Sequence, residues 1–232
     1  MNWQLKARPV SPSAPAAGPG VKSVQPSAST GRVSNALKEF LWLLSDIPKA
    51  KILDMGQVSQ ETLNFFIGKG FKVTTEDFLR SWREFMDAEE AEARKKGNGA
   101  SSVEMDSESQ GALADRFLES LFRYPPESFN GIIAWDLFDY MEPWMLERVV
   151  VRLHSILRPG GVVMAIFHSR TPDAFCRYRI KPDSTLELLQ VRSIAQHVHI
   201  FQNREMLDLF AKFRTSKNFV GRDQLREGLF LK

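Results

Sequence analysis

The feature that most restricts the fold of this chain is a repeated alternation of short apolar runs with segments of helical spacing. Residues 51–55, with Ile52 and Leu53 at the centre, and 71–75 read as short strands, and 131–135 and 162–167 are apolar runs of strand length. Leu63, Phe66 and Ile67 follow the first run at steps of three and four. Phe78, Leu79, Trp82, Phe85 and Met86 do the same after the second, and Leu146, Val149, Val150, Leu153 and Ile156 precede the fourth. Such steps place apolar side chains on one face of a helix. Strands separated by helices favour a parallel sheet, because parallel neighbours need a crossover and a helix is the usual one. The 162–167 run is apolar throughout, as expected of a strand covered on both faces. The architecture predicted is α/β: a doubly wound, mostly parallel sheet with helices on both faces. Residues 215–220 and 226–231 close it as an antiparallel hairpin around Gly221.

The flanking segments set the boundaries. Residues 1–33 are dominated by Pro, Ser, Ala and Gly and read as a disordered tail, because they cannot bury enough apolar surface to offset ordering. A domain over 34–232 starts with Ser34 as an N-cap, followed by Leu37, Phe40, Leu41 and Leu44 on one stripe. A polar stretch at about 87–112 reads as a solvated helix end and a flexible insert. Residues 186–191 and 197–201 read as shorter strands, and 203–213 as a helix. Cys176 is the only cysteine, so neither an intramolecular disulfide nor a cysteine-rich zinc site can form. With no apolar leader and no membrane-length run, a cytoplasmic protein without a membrane partner is expected. The net charge of +3 is scattered along the chain, which argues against a nucleic-acid partner.

Ligands of an open parallel sheet bind beyond the carboxyl ends of its strands, where strand order reverses. Asp54, Gly56, Glu76, Asp77, Asp136 and His168 fall at those ends. Asp77 lies 21 positions after Gly56, near the roughly 20-residue offset at which an acid meets a ribose diol. Here the sequence resembles a family. Lys51-Ile52-Leu53-Asp54-Met55-Gly56 is similar to the first motif of class I (Rossmann-like) S-adenosylmethionine-dependent methyltransferases. Lys72-Val73-Thr74-Thr75-Glu76-Asp77 resembles their second strand, and Ser128 through Asp136 their fourth. Leu157-Arg158-Pro159-Gly160-Gly161 resembles the turn before the fifth.

The resemblance implies a Rossmann-like fold, S-adenosyl-L-methionine as cofactor and an unidentified methyl acceptor. It sets Asp54 near the methionine end of the cofactor, Gly56 against it, Asp77 (or Glu76, if the register slips) on the ribose, and Asp136 beside the methyl-transfer pocket. One departure stands out. The family's two further loop glycines are replaced by Val58 and Gln60, where glycine would permit positive φ and close ligand approach. Either the loop takes another shape around the same cofactor, or the chain is a catalytically inactive binding or scaffold protein of the same fold. Each acid also has a plain reading as a helix cap or turn residue. His168 is the one candidate base. His197 and His199 lack a third ligand, so no metal site is expected, and His154 reads as structural. Phe175, Arg177, Tyr178 and Arg179 suit an aromatic or anionic acceptor, and surface packing explains them as well. Trp135 and Trp144 could shield a sulfonium, but the core is the expected place for both.

Overall fold

A computed structural model describes residues 31–95, 106–193, 198–221 and 224–232. In chain order the first half contains β1 (Gly31–Val33), α1 (Asn35–Leu44), β2 (Lys51–Asp54), α2 (Gln60–Gly68), β3 (Lys72–Thr75), α3 (Phe78–Lys95) and α4 (Ser107–Leu121). The second half contains β4 (Phe129–Trp135), a 3-10 turn (Leu137–Tyr140), α5 (Pro143–Ile156), β5 (Leu157–His168), β6 (Ala174–Ile180), β7 (Thr185–Ser193), α6 (Asn203–Leu209), β8 (Thr215–Val220) and β9 (Leu225–Leu231).

Six strands form the central sheet in the order β3-β2-β4-β5-β9-β8. The first four are parallel, and β9 joins β5 antiparallel with β8 outside it. This is the doubly wound arrangement expected, with the antiparallel C-terminal hairpin in place. Alternate residues of each strand face opposite cores, as a period of two requires. Leu53, Ile132, Val163, Ala165 and Phe167 pack against α3 to α6 through Phe78, Phe117, Val149, Leu153 and Met206. Ile52, Ile133, Val162, Met164 and Ile166 pack against α1 and α2 through Leu37, Phe40, Leu44 and Phe66.

Several boundaries differ from the sequence reading. Ordered chain starts before Ser34, because Gly31–Val33 pairs with β7 and Arg32 reaches the buried Glu227 of β9 at 2.7 Å. Residues 1–30 lie outside the described residues. Both edges of the expected insert are helical: α3 runs to Lys95, and α4 starts at Ser107 with Asp106 accepting from Ser109 N at 2.8 Å. Its apolar stripe of Leu113, Phe117 and Leu118 is buried; residues 96–105 lie outside the described set. Val198–Phe201 is an irregular segment anchored by buried Val198 and Phe201, not a strand. The chain after β5 makes β6 and β7 instead, a hairpin that joins β1 in a second, antiparallel sheet of order β1-β7-β6. That sheet packs on the α1/α2 side through Tyr178, Ile180 and Leu186.

Candidate active site

Strand order reverses beside β2, whose neighbours are β3 on one side and β4 on the other. A cavity of about 570 Å³ opens at the carboxyl ends of these strands, within the roughly 300–1,000 Å³ of small-molecule sites. Gly56 and Gln57 form one wall, Asp77 with Arg80 and Arg83 of α3 a second, and Trp135 with Asp136 a third. Phe175, Cys176, Arg177 and Tyr178 of β6 complete it. This strand is held over the glycine loop by three contacts. Thr62 Oγ1 accepts from Ile180 N at 3.1 Å, Arg179 meets Glu61 at 3.2 Å, and Arg177 donates to Gln57 Oε1.

The loop after β2 solves the missing-glycine problem with ordinary backbone angles. Neither Val58 nor Gln60 has positive φ. Val58 is exposed, and Gln60 is the first residue of α2, which Ser59 caps by accepting from Thr62 N. Asp54 does not line the cavity. Its Oδ1 accepts from Gly56 N at 3.0 Å and from Trp135 Nε1 at 2.7 Å, so this buried carboxylate ties the loop to β4. Burial is the main cause that raises it to about 6, against the two hydrogen bonds that lower it; the nearby Asp77 adds to the rise.

Trp135 is the unusual residue here. The β4–β5 register shifts between Ile133 and Trp135, and Trp135 has φ +48°. A bulge of this kind re-aims a side chain, and a bulky residue in the left-handed region costs on the order of 1–3 kcal/mol. The result is an indole lying on Gly56, where an added Cβ would come within 2.4 Å of Trp135 Cδ1. The close approach that Gly56 allows is therefore to this chain's own indole. Trp135 stacks in turn on Tyr178, with centroids 5.3 Å apart and rings 9° from parallel. It is thus both a core residue, as expected, and part of the cavity wall.

The two candidate ribose acids separate clearly. Asp77 lines the cavity and also caps α3, accepting from Arg80 N at 3.3 Å. Glu76 is engaged elsewhere, as the acceptor for the Tyr124 hydroxyl. Asp136 lines the cavity as well, although it is only 4% exposed. Its Oδ2 accepts from Tyr178 OH at 3.0 Å and Tyr140 OH at 3.4 Å. Burial pushes Asp136 up to about 7, with His168 opposing the shift and Asp139 adding to it.

His168 does not face this cavity. It stands behind Asp136, with Nε2 3.9 Å from Asp136 Oδ2. Its Nδ1 meets Asp139 Oδ2 at 2.8 Å, and the same oxygen accepts His168 N at 2.7 Å. The sequence reading missed Asp139 and the strand β6. Asp139 sits three residues after Asp136 on the 3-10 turn, and only the fold brings it to His168. The other histidines are structural in their surroundings: His154 packs edge-on against Phe213 and His199 against Phe201. His197 lies outside the described residues. Trp144 packs on Trp82 at the rim of the core.

Sheet order, crevice and acid placement define a Rossmann-like domain of the class I methyltransferase type. Residues 30–213 match the family described as Methyltransferase domain, more than half of the chain, and the chain belongs to that family. S-adenosyl-L-methionine is the cofactor this membership carries. No curated protein matches the chain. Among solved structures it is similar to a 1,6-didemethyltoxoflavin-N1-methyltransferase from Burkholderia thailandensis with bound 1,6-didemethyltoxoflavin and S-adenosylhomocysteine. That likeness has 16% identity and a TM-score of 0.43, covering 85% of this chain and 76% of the other. A SAM-dependent methyltransferase from Methanosarcina mazei gives 14% identity and a TM-score of 0.45, covering 86% and 98%. One from Archaeoglobus fulgidus gives 12% and 0.45, covering 84% and 91%. The family match, not these likenesses, carries the assignment.

Proposed function

We propose that this protein transfers a methyl group from S-adenosyl-L-methionine to a nucleophilic atom of an acceptor that enters the cavity beneath β6. The observation that carries the reading is the meeting of Gly56, Asp77 and Asp136 around one cavity at the strand-order reversal. The residues present fit the cofactor. Asp77 offers a carboxylate that can accept both hydroxyls of a ribose. The cofactor, when bound, supplies an activated methyl on a sulfonium, whose departure as a neutral thioether needs no acid.

The chain's own task is positioning. β6, pinned to α2, covers one side of the cavity, and the fixed loop orients what lies against it. Well-oriented reactants gain roughly 7–11 kcal/mol over free encounter. The acceptor's apolar part would lie against Phe175, beside a rim of mixed charge in which Arg83 and Arg177 stand with the Arg80–Glu84 ion pair. A cytoplasmic setting accords with the lone Cys176.

Calorimetry with S-adenosylmethionine tests this reading. Micromolar binding is expected, weakened in Asp77→Ala by about 10- to 100-fold, since a hydrogen bond to a charged group contributes about 1.5–3 kcal/mol. Glu76→Gln, whose parent carboxylate serves Tyr124, should keep the affinity. Equal loss in both variants would contradict the assignment of Asp77, and silence at millimolar cofactor would leave the fold as a binding module.

A further inference from the structure

Beside the main cavity lies a smaller one of about 280 Å³, between α3 and the turn that leads into α5. Leu79 and Arg83 line both, so the two spaces meet along one face of α3. Tyr140 links them from the opposite side. It lines the smaller cavity, its hydroxyl lies 3.4 Å from Asp136 Oδ2, and its ring packs on Phe175 with centroids 5.2 Å apart. We propose that the smaller cavity receives an uncharged aromatic group of one or two rings carried by the methyl acceptor, whose nucleophilic atom stays in the main cavity beside Asp136. This rests on the methyl-transfer reading and adds the class of acceptor to it.

Size, polarity and wall chemistry each narrow the occupant. An apolar cavity of ~150 Å³ holds a benzene, so 280 Å³ admits one ring with room for a second fused to it. Phe78, Trp82 and Met86 follow at steps of four on α3, which puts them on one face of the helix. Met141 and Met145 stand across the gap, at the entry to α5 and in its first turn. These walls are apolar, and a charged group among them would lose its hydration without a partner. The charged side chains that line the space, Arg83 and Glu142, are exposed and opposite in sign, and so mark its mouth.

The three thioethers favour a flat ring over a saturated group of the same size, because sulfur is drawn to aromatic ring edges. Trp82 is a fixed wall, held by Phe117 and Trp144 with centroids 4.9 and 5.8 Å away. Met86 is half-buried and unbranched, so it can shift to fit what enters.

NMR of full-length protein carrying ¹³C-labelled methionine methyls tests this, with 2-naphthol as the probe and S-adenosylhomocysteine titrated separately. Met86→Leu, Met141→Leu and Met145→Leu assign the three signals. Naphthol should move those methyls upfield, while Met164 on the other face of the sheet stays still. S-adenosylhomocysteine should move Met55, which lines the main cavity and not the smaller one. Decahydro-2-naphthol, the saturated analogue, should bind about 10-fold more weakly. Met86→Trp should fill the space and weaken naphthol by at least about 10-fold while the Met55 response persists; should it not fold, the parent titrations decide alone. Naphthol that leaves the three methyls unmoved, or a saturated analogue that binds equally well, would overturn the proposal. So would S-adenosylhomocysteine moving the three methyls, which would give the space to the cofactor's base. A Met55 signal unmoved at millimolar S-adenosylhomocysteine, with naphthol still moving the other three, removes the methyl-transfer reading and leaves the aromatic site standing.

Discussion

Replacing Asp54 by Asn should stabilise this protein at neutral pH, although Asp54 makes two good hydrogen bonds. The carboxylate is buried with no cation beside it among the described residues, and burial outweighs the Gly56 and Trp135 donors, raising it from 3.8 to about 6. Its folded value lies above its unfolded one, so the sign is fixed: no penalty is present below about pH 4, and stability is lost as pH rises through 6. At ~1.4 kcal/mol per unit, a shift of about two units corresponds to about 3 kcal/mol at pH 7. Asparagine keeps an oxygen for Gly56 N and Trp135 Nε1 but carries no charge. The Asn variant should therefore gain up to about 3 kcal/mol at pH 7. At roughly 2–4 °C per kcal/mol for a chain of this size, that is a rise of up to about 6–12 °C in Tm. At pH 4 the two proteins should melt together. Comparing the proteins at each pH cancels the contribution of Asp136, which is also raised. A variant less stable than the parent at pH 7, or a gap that does not change between pH 4 and 7, would refute the desolvation argument.

Two further substitutions test the packing. Arg32→Ala leaves Glu227, 2% exposed, without its cation; urea unfolding should show a loss of about 3–5 kcal/mol, partly restored by adding Glu227→Gln. An effect near zero would mean that the Arg32–Glu227 ion pair contributes nothing to stability. Gly131→Ala puts a Cβ 2.6 Å from Phe40 Cζ and 2.8 Å from Leu44 Cδ1, so denaturation should register about 1–3 kcal/mol of overpacking.

The central sheet was legible because short strands such as β4 and β5 alternate with helices whose apolar period needs no partner to be seen, and the carboxyl-end rule then located the crevice. Asp77 and Asp136 at the cavity follow from that rule. The second sheet was not legible. In β6, Tyr178 and Ile180 point inward while Arg177 and Arg179 do not, but its partners lie in β7, and β1 joins them from more than 150 positions upstream. Helix α4 was hidden by Gly111 and its polar neighbours, which read as a breaker. The structure uses that glycine to seat the Arg148 guanidinium, 2.3 Å from where a Cβ would be. His168 ends β5 as expected, but it stands behind Asp136 and does not line the cavity, and its partner Asp139 comes from a turn 29 residues away. The Trp135 indole over Gly56 depends on a bulge, which leaves no mark in composition or spacing.

A crystal structure grown with millimolar S-adenosylhomocysteine addresses the methyl-transfer assignment most directly. Density is expected between the ends of β2 and β4, with the sugar hydroxyls against the Asp77 carboxylate and the sulfur toward Asp136. A nucleoside bound away from these two acids, or no ligand in the crevice at that concentration, would contradict it.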